Sequence, residues 1–199
     1  MEKPRGAFPT IETARLTLRE IVSGDAALLH RYWSDEDVTE FMVLDRFTKI
    51  EDTVQMIVLL AGLFADGSGV RWAVVRKEDG AVLGTCGFHN LKPEHFRAEV
   101  GYEMGKEYWG RGLMTEALTA ILGYGIEAMD FNRVEAFVNA GNIRSLRILE
   151  KLGFRLDGTL REYERARGVF VDQHCLSLLR KEWVVGQRAR TGAGILADG

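Results

Sequence analysis

Gly110 and Gly112 stand where this chain changes period, and the change says what chemistry they serve. Before them, Val100, Tyr102 and Met104 alternate with Glu99, Gly101 and Glu103, the pattern of a strand with two unlike faces. After them, Met114, Leu118, Ile121, Leu122 and Ile126 recur at three- and four-residue spacing, as on the buried side of a helix. Glycines just ahead of a helix leave its first N–H groups and the positive end of its dipole facing an anion, which makes this stretch a candidate phosphate cradle. A glycine at 112 lets backbone approach a diphosphate more closely than any Cβ would allow. Arg111 and Lys106 add positive charge beside the loop, and Trp109 suits either a core position or a shield over a ligand. Glu99 and Glu103 share one face of the strand. Glu103, nearer the cradle, is the first candidate to take a proton from a substrate, with Glu99 or a water as the alternatives. Asn142 and Ser145 open a later helix, where an asparagine caps and a hydroxyl lies one turn in.

Composition removes several other chemistries. The chain has 199 residues with a formal net charge of −3, so it has no global field to draw in nucleic acid. His30, His89, His95 and His174 lack metal-ligand spacing, and no metal is expected. Cys86 and Cys175 lack Cys-x-x-Cys spacing and read as reduced thiols, with Cys86 a core residue of an alternating strand. No Ser-His-Asp signature, P-loop lysine or first strand–helix dinucleotide unit accompanies the glycines. Neither a signal peptide nor an apolar run of roughly 18 residues is present, so the expected location is cytoplasmic, with no membrane partner.

The elements that must position these residues follow from pattern. Arg15 to Glu20 alternates as a strand, and Ser23-Gly24-Asp25 caps a helix through Trp33. Ser34-Asp35-Glu36-Asp37 interrupts it and caps a short helical turn through Val38, Phe41 and Met42, and a longer helix runs from about Ile50 to Phe64 with Val54, Ile57, Val58 and Leu60 as its apolar positions. Glu78-Asp79-Gly80 joins strands 70–77 and 81–89 in a hairpin. Strand 98–105, helix 113–128 and strand 133–139 form a crossover whose strands are parallel neighbours able to part at their carboxyl ends. A helix from Asn142 to Leu152 stopped by Gly153, then strands 154–163 and 171–179 joined through Arg167-Gly168, complete the order. The fold class is α/β, a mixed and mostly antiparallel sheet with helices on both faces. Residues 1–9 read as an N-terminal extension, 10–183 as a single domain, and 184–199 as a small, glycine-rich tail.

These motifs carry a resemblance. Trp109-Gly110-Arg111-Gly112-Leu113-Met114-Thr115-Glu116-Ala117 resembles the acetyl-CoA pyrophosphate loop of the GNAT acetyltransferase superfamily. The general form of that loop is Gln or Arg, two residues, Gly, one residue, then Gly or Ala. Trp109 and Met114 depart from it at the two ends, as is familiar in the branch of ribosomal-protein N-terminal acetyltransferases. Thr13-Ala14-Arg15-Leu16-Thr17-Leu18-Arg19, Ala98-Glu99-Val100-Gly101-Tyr102, and Asn142-Ile143-Arg144-Ser145 leading to Glu150-Lys151-Leu152-Gly153-Phe154 resemble the same branch, over residues 10 to 183. The resemblance implies an N-acetyltransferase with acetyl-CoA as co-substrate, held by Met104, Trp109, Gly110, Arg111, Gly112, Leu113, Met114, Thr115 and Asn142. It further implies that Ser145 protonates the leaving thiolate, that an amine is the acceptor, and that the protein is a monomer or homodimer. A protein N-terminus is the acceptor expected first. A small-molecule amine, or a non-catalytic acyl-CoA-binding role, is the alternative.

The acceptor expectation rests on energetics. At pH 7 an α-amine with a pKa of about 7.7–8.0 reaches its neutral form for about 1.0–1.4 kcal/mol, whereas a lysine near 10.4 requires about 4.6 kcal/mol. The strand and loop offer only carboxylates, which match the easier amine. Gly112→Asp is expected to abolish acetyl-CoA binding, because a Cβ and a negative charge would meet the diphosphate; isothermal calorimetry with unchanged affinity would refute it.

Overall fold

The computed structural model describes residues 6–42 and 45–190. One eight-stranded sheet runs through it in the order β1-β2-β3-β4-β5-β6-β8-β7. The strands are β1 (Ile11–Glu12), β2 (Leu16–Glu20), β3 (Val70–Arg76), β4 (Val82–Lys92), β5 (Arg97–Met104), β6 (Arg133–Asn139), β7 (Arg155–Ala166) and β8 (Val169–Leu179). Every neighbouring pair is antiparallel except β5 and β6. Helices α1 (Ala26–Trp33), α2 (Glu36–Thr39) and α3 (Ile50–Asp66) precede the central strands, α4 (Leu113–Glu127) connects β5 to β6, and α5 (Ile143–Leu152) leads to β7.

Alternation along β3 shows why helices cover both faces. Trp72 and Val74 enter a core that also holds Phe88, Leu118, Ile121, Leu122 and Leu149, beneath α4 and α5. Ala73 and Val75 enter a second core with Leu29, Tyr32, Trp33 and Ile57, beneath α1 and α3. A strand buried on both sides needs apolar residues at nearly every position, as Val70–Arg76 has. Each large apolar side chain fully withdrawn from water contributes roughly 1.5–3 kcal/mol.

Most of the expected elements are present. The Asp-Gly turn closes the β3–β4 hairpin, with Arg76 paired to Asp79. Asn142 Oδ1 accepts from Ser145 N–H (3.1 Å) at the start of α5, and Gly153, at φ 97°, ends it while Phe154 N–H returns to Leu149 O. Helix α3 differs in phase. Thr53 and Ile57 form its buried line, while Val54 and Val58 are 43% and 67% exposed. Its sequence is apolar on several sides, and the choice of buried side falls to contacts with α1, including His30 Nδ1 to Thr53 Oγ1 (2.9 Å).

The ends also differ from expectation. A further helix, α6 (Arg180–Arg190), runs through Gly186 into the stretch read as a tail, anchored by Trp183 in the larger core. Within the N-terminal extension, Phe8 packs against Phe64 and Trp72, and Pro9 O accepts from Trp72 Nε1 (2.7 Å). Residues 1–5 and 191–199, the outer parts of the expected extension and tail, lie outside the described residues.

Candidate active site

The parallel strands stay together only briefly. Their register runs Arg97 to Arg133, Ala98 to Val134 and Glu99 to Glu135, after which β5 continues to Met104 and β6 to Asn139 unpaired with each other. Gly105 N–H donates to Leu83 O on β4 (2.8 Å), while Met104 O is turned away from β4 and accepts from Trp109 Nε1 (2.7 Å). Backbone groups of successive strand residues point in opposite directions, so the N–H groups of Tyr102 and Met104 face the opening.

The loop beside that opening is held from both sides. Gly110 and Gly112 lie at φ 74° and 73°, a left-handed backbone that glycine adopts without strain. No atom lies within 4 Å of where a Cβ would sit at Gly110, and only Arg15 Nη2 (3.7 Å) does at Gly112, so the outer side of the loop is open. Glu116, in the first turn of α4, accepts from Thr13 Oγ1 (2.6 Å), Arg15 N–H (2.8 Å) and Arg15 Nε (2.6 Å). Arg15 Nη1 also reaches Arg111 O (3.1 Å). Burial pushes the Glu116 carboxyl up, but these hydrogen bonds outweigh it and hold its pKa below the ordinary 4.5. On the far side the Arg144 guanidinium lies 4.0 Å over the Trp109 ring and pairs with Glu40 (3.7 Å).

Across the opening, the Tyr102 hydroxyl lies 2.7 Å from Ser145 Oγ. Burial raises the Tyr102 pKa to about 12, against the opposing effect of the Ser145 hydrogen bond, so the phenol remains protonated. Asn142 and Ser145 are tied by the helix cap already described.

The other face of the same strands is polar. Glu103 is 6% exposed and accepts from Trp33 Nε1 (3.1 Å), Thr85 Oγ1 and Arg71 Nη2. Glu99 stands opposite His89 in the β4–β5 register and accepts on Oε2 from Asn90 Nδ2 (3.0 Å), with His89 Nε2 at 3.4 Å. Burial raises the Glu99 pKa, but the hydrogen bonds from His89 and Asn90 outweigh this and keep it below the usual carboxylate range. From β8, Gln173 faces the cavity opposite Asn139 and donates from Nε2 to Glu164 Oε2 (2.5 Å). The segment 37–42 closes the third side, held by Lys106 pairing with Asp37 and by Arg167 Nη2 donating to Thr39 O (2.9 Å).

One cavity of about 640 Å³ joins these groups, with walls from both faces of the sheet. Of the residues singled out in the sequence, Glu99, Glu103, Met104, Trp109, Gly110, Gly112, Leu113, Met114, Thr115, Asn142 and Ser145 line it. Arg111 is not among them. Its guanidinium lies 6.0 Å from the centre of the Tyr108 ring. Lys106 is turned to Asp37, away from the role of loop cation. Sequence reasoning passed over Tyr102, His89, Glu164 and Gln173, which reach the cavity through strand pairing, and Arg71 and Thr85, which hold Glu103. The alternation in β5 already placed Tyr102 on the face opposite the glutamates, and that was its one signal. Among the described residues no group of His, Cys, Asp and Glu could hold a metal ion, and no helix is long and apolar enough to cross a membrane.

A sheet that parts beside a glycine-rich helix start offers a crevice with an anion-suited end, and comparison with known proteins gives the class. The family model described as "Acetyltransferase (GNAT) domain" matches residues 15–155. The chain is 39% identical over 174 residues to "Uncharacterized N-acetyltransferase p20" of Bacillus licheniformis, covering 87% of this chain and 98% of that one. It is 30% identical over 122 residues to "[Ribosomal protein uS5]-alanine N-acetyltransferase" of Escherichia coli, covering 61% and 63% of the two chains. A crystal structure of a GNAT-family acetyltransferase from Bacillus anthracis superposes with a TM-score of 0.79 at 26% identity, over 87% of this chain and all of that one. The chain belongs to the GNAT acetyltransferase family and is an acetyltransferase.

Glu116→Gln is expected to lower stability at pH 7 by about 1–2 kcal/mol, discounted because Arg15 is half exposed. A carboxyl whose pKa is depressed on folding stabilises above its unfolded pKa and loses that contribution as pH falls through the folded one. The difference between the two proteins in urea denaturation is therefore expected to shrink below about pH 4.5.

Proposed function

We propose that this chain transfers an acetyl group from acetyl-CoA to the α-amine of a peptide or protein N-terminus, by direct attack within a ternary complex. The observation that carries this reading is the single cavity lined from both faces of the sheet, with Tyr102, Met104 and Ser145 on one side and His89, Glu99 and Glu103 on the other. Two substrates can meet there without a covalent enzyme intermediate. Cys86 is no alternative nucleophile, since it is fully buried and its thiol is pushed up to about 12 by desolvation.

Acetyl-CoA supplies the activated thioester when bound. The left-handed loop at Gly110 and Gly112 and the first turn of α4, from Leu113 to Thr115, would hold its diphosphate. The N–H groups of Tyr102 and Met104 would hold its amide arm and polarise the thioester carbonyl, with Asn142 at the edge of the same opening. Ser145 Oγ would give its proton to the departing sulfur and take one from the protonated Tyr102 hydroxyl 2.7 Å away, while solvent reprotonates Tyr102 and takes the amine proton from the carboxylate.

On the acceptor side, Glu103 is committed to three donors and acts as a fixed charge in the wall. Glu99 is the better proton acceptor, directly or through water, because its bonds from Asn90 and His89 both fall on Oε2 and leave Oε1 for the amine. A carboxylate held below its usual range suits an amine that loses its proton near neutral pH, which supports an α-amine over a lysine. The partial likeness to the uS5-alanine acetyltransferase supports the same choice.

Ser145→Ala is expected to slow turnover by about 10²–10⁴-fold with acetyl-CoA affinity nearly intact, read as free thiol release and by calorimetry. An unaltered kcat would make Ser145 structural. Turnover is expected with peptides bearing a free N-terminus and not with N-terminally blocked peptides that carry one lysine. Preference for the lysine peptides, or for polyamines over both, would reassign the acceptor, and release with no amine in the panel would leave an acyl-CoA-binding module.

A further inference from the structure

Among the described residues four carboxylates line the cavity, and three of them have a basic side chain beside them: Lys106 at Asp37, Arg71 at Glu103 and His89 at Glu99. Glu164 is the exception. Its single partner among the described residues is Gln173, whose Nε2 donates to Oε2 (2.5 Å) and brings no charge. Glu164 Oε1 has no hydrogen bond there, yet it is not sealed from the cavity, and the residue as a whole is half-buried. A carboxylate that has given up part of its water without gaining a counter-ion attracts one from whatever ligand reaches it.

The position of Glu164 says where on the acceptor that cation sits. Gln173 stands opposite Asn139 and Glu135 opposite Glu99, so Gln173 holds Glu164 on the sheet face that carries the Glu99–His89 pair. β8 lies two strands from β5, about 10 Å at ordinary strand spacing, and the parting of β5 from β6 widens that interval. Glu164 is therefore out of reach of the amine attacked at the end of β5 and open to a charge further along the same molecule. A basic residue at the second or third position of a peptide spans roughly 10 Å, since each residue advances up to about 3.5 Å and the side chain adds its own length. The wall between is apolar. Phe137, in the lining, stacks on Tyr163 at 5.8 Å and 13°, beside Glu164 in the chain, and offers a surface for the methylene stem of a long cationic side chain.

We propose that Glu164 is a specificity-determining residue that pairs with a second cation of the acceptor, a lysine or arginine side chain at the second or third position of the peptide whose α-amine is acetylated. This rests on the transferase reading above and narrows it to peptides with a basic start. A polyamine presents the same chemistry, an amine to be acetylated and a distant ammonium, and the test separates the two sources.

The test uses tetrapeptide amides with each of the common N-terminal residues, carrying at the second and third positions arginine, its neutral isostere citrulline, or glutamate. Arginine leaves the α-amine as the one amine in the peptide. Spermidine is compared with butylamine, which lacks the second charge. Each is assayed by thiol release with the wild type, Glu164→Gln and Glu164→Lys. With the wild type, kcat/KM is expected to be at least about 10-fold higher for arginine than for citrulline, the scale of one charge-assisted hydrogen bond. With Glu164→Gln the two are expected to differ by less than about threefold, and with Glu164→Lys the glutamate peptides are expected to overtake the arginine ones. Because each ratio is taken within one enzyme, a general loss of activity in a variant cancels. Should the variants fail to fold, the wild-type ratio still decides. A wild-type ratio near one, or an undiminished preference in Glu164→Gln, would overturn the role of Glu164 and leave the transferase reading standing. Turnover of spermidine over butylamine that depends on Glu164, with no peptide turned over, would uphold the pairing and overturn the peptide as its source, together with the peptide reading above. Thiol release with none of them, while acetyl-CoA still binds by calorimetry, would overturn both.

Discussion

The cavity exists because two parallel strands prefer their other neighbours. β5 and β6 pair over three positions and then part, and each remains fully paired on its far side, β5 with β4 up to Met104 and β6 with β8 up to Asn139. Parallel pairing is slightly weaker per residue than antiparallel pairing, so strand twist is relieved at the junction that costs least. The parting leaves the backbone of Tyr102 and Met104 without a sheet partner on one side. Trp109 satisfies the Met104 carbonyl, and the N–H groups are left to whatever enters the opening.

The charged groups around the opening follow from that parting. Glu103 sits near the end of β5 with almost no solvent, and its ion pair with Arg71 is supplemented by Thr85 and Trp33. Removing one partner of such a buried pair is costly because it strands the other charge, so the arrangement fixes this wall of the cavity more than it adds net stability. Trp33 comes from α1, Arg71 from β3 and Thr85 from β4, and the carboxylate therefore ties the covering helix to the central strands beside the opening.

Much of this was legible in the sequence, because much of it is local. Alternation marked the central strands, and the change of period at Gly110 and Gly112 marked the left-handed loop and α4. Asn142 and Gly153 marked both ends of α5. What escaped was non-local. His89 gains its meaning from standing opposite Glu99, and Gln173 from standing beside Glu164, and neither pairing has a signal within its own segment. The phase of α3 was ambiguous because its apolar residues exceed what one face can bury, and contact with α1 decided it. The stretch from 184 read as a glycine-rich tail, yet α6 passes through Gly186 because Trp183 is buried in the core, a tertiary contact that outweighs a local cost of about 1 kcal/mol.

Arg144 belongs to both halves of the cleft. Its guanidinium covers Trp109 beside the cradle while pairing with Glu40 in the segment that walls the opposite side. A ligand in either half that moves this side chain alters the contact in the other, and thermodynamic linkage requires the resulting change in affinity to be the same factor in both directions. A cleft built this way couples whatever occupies its two halves through the position of one cation.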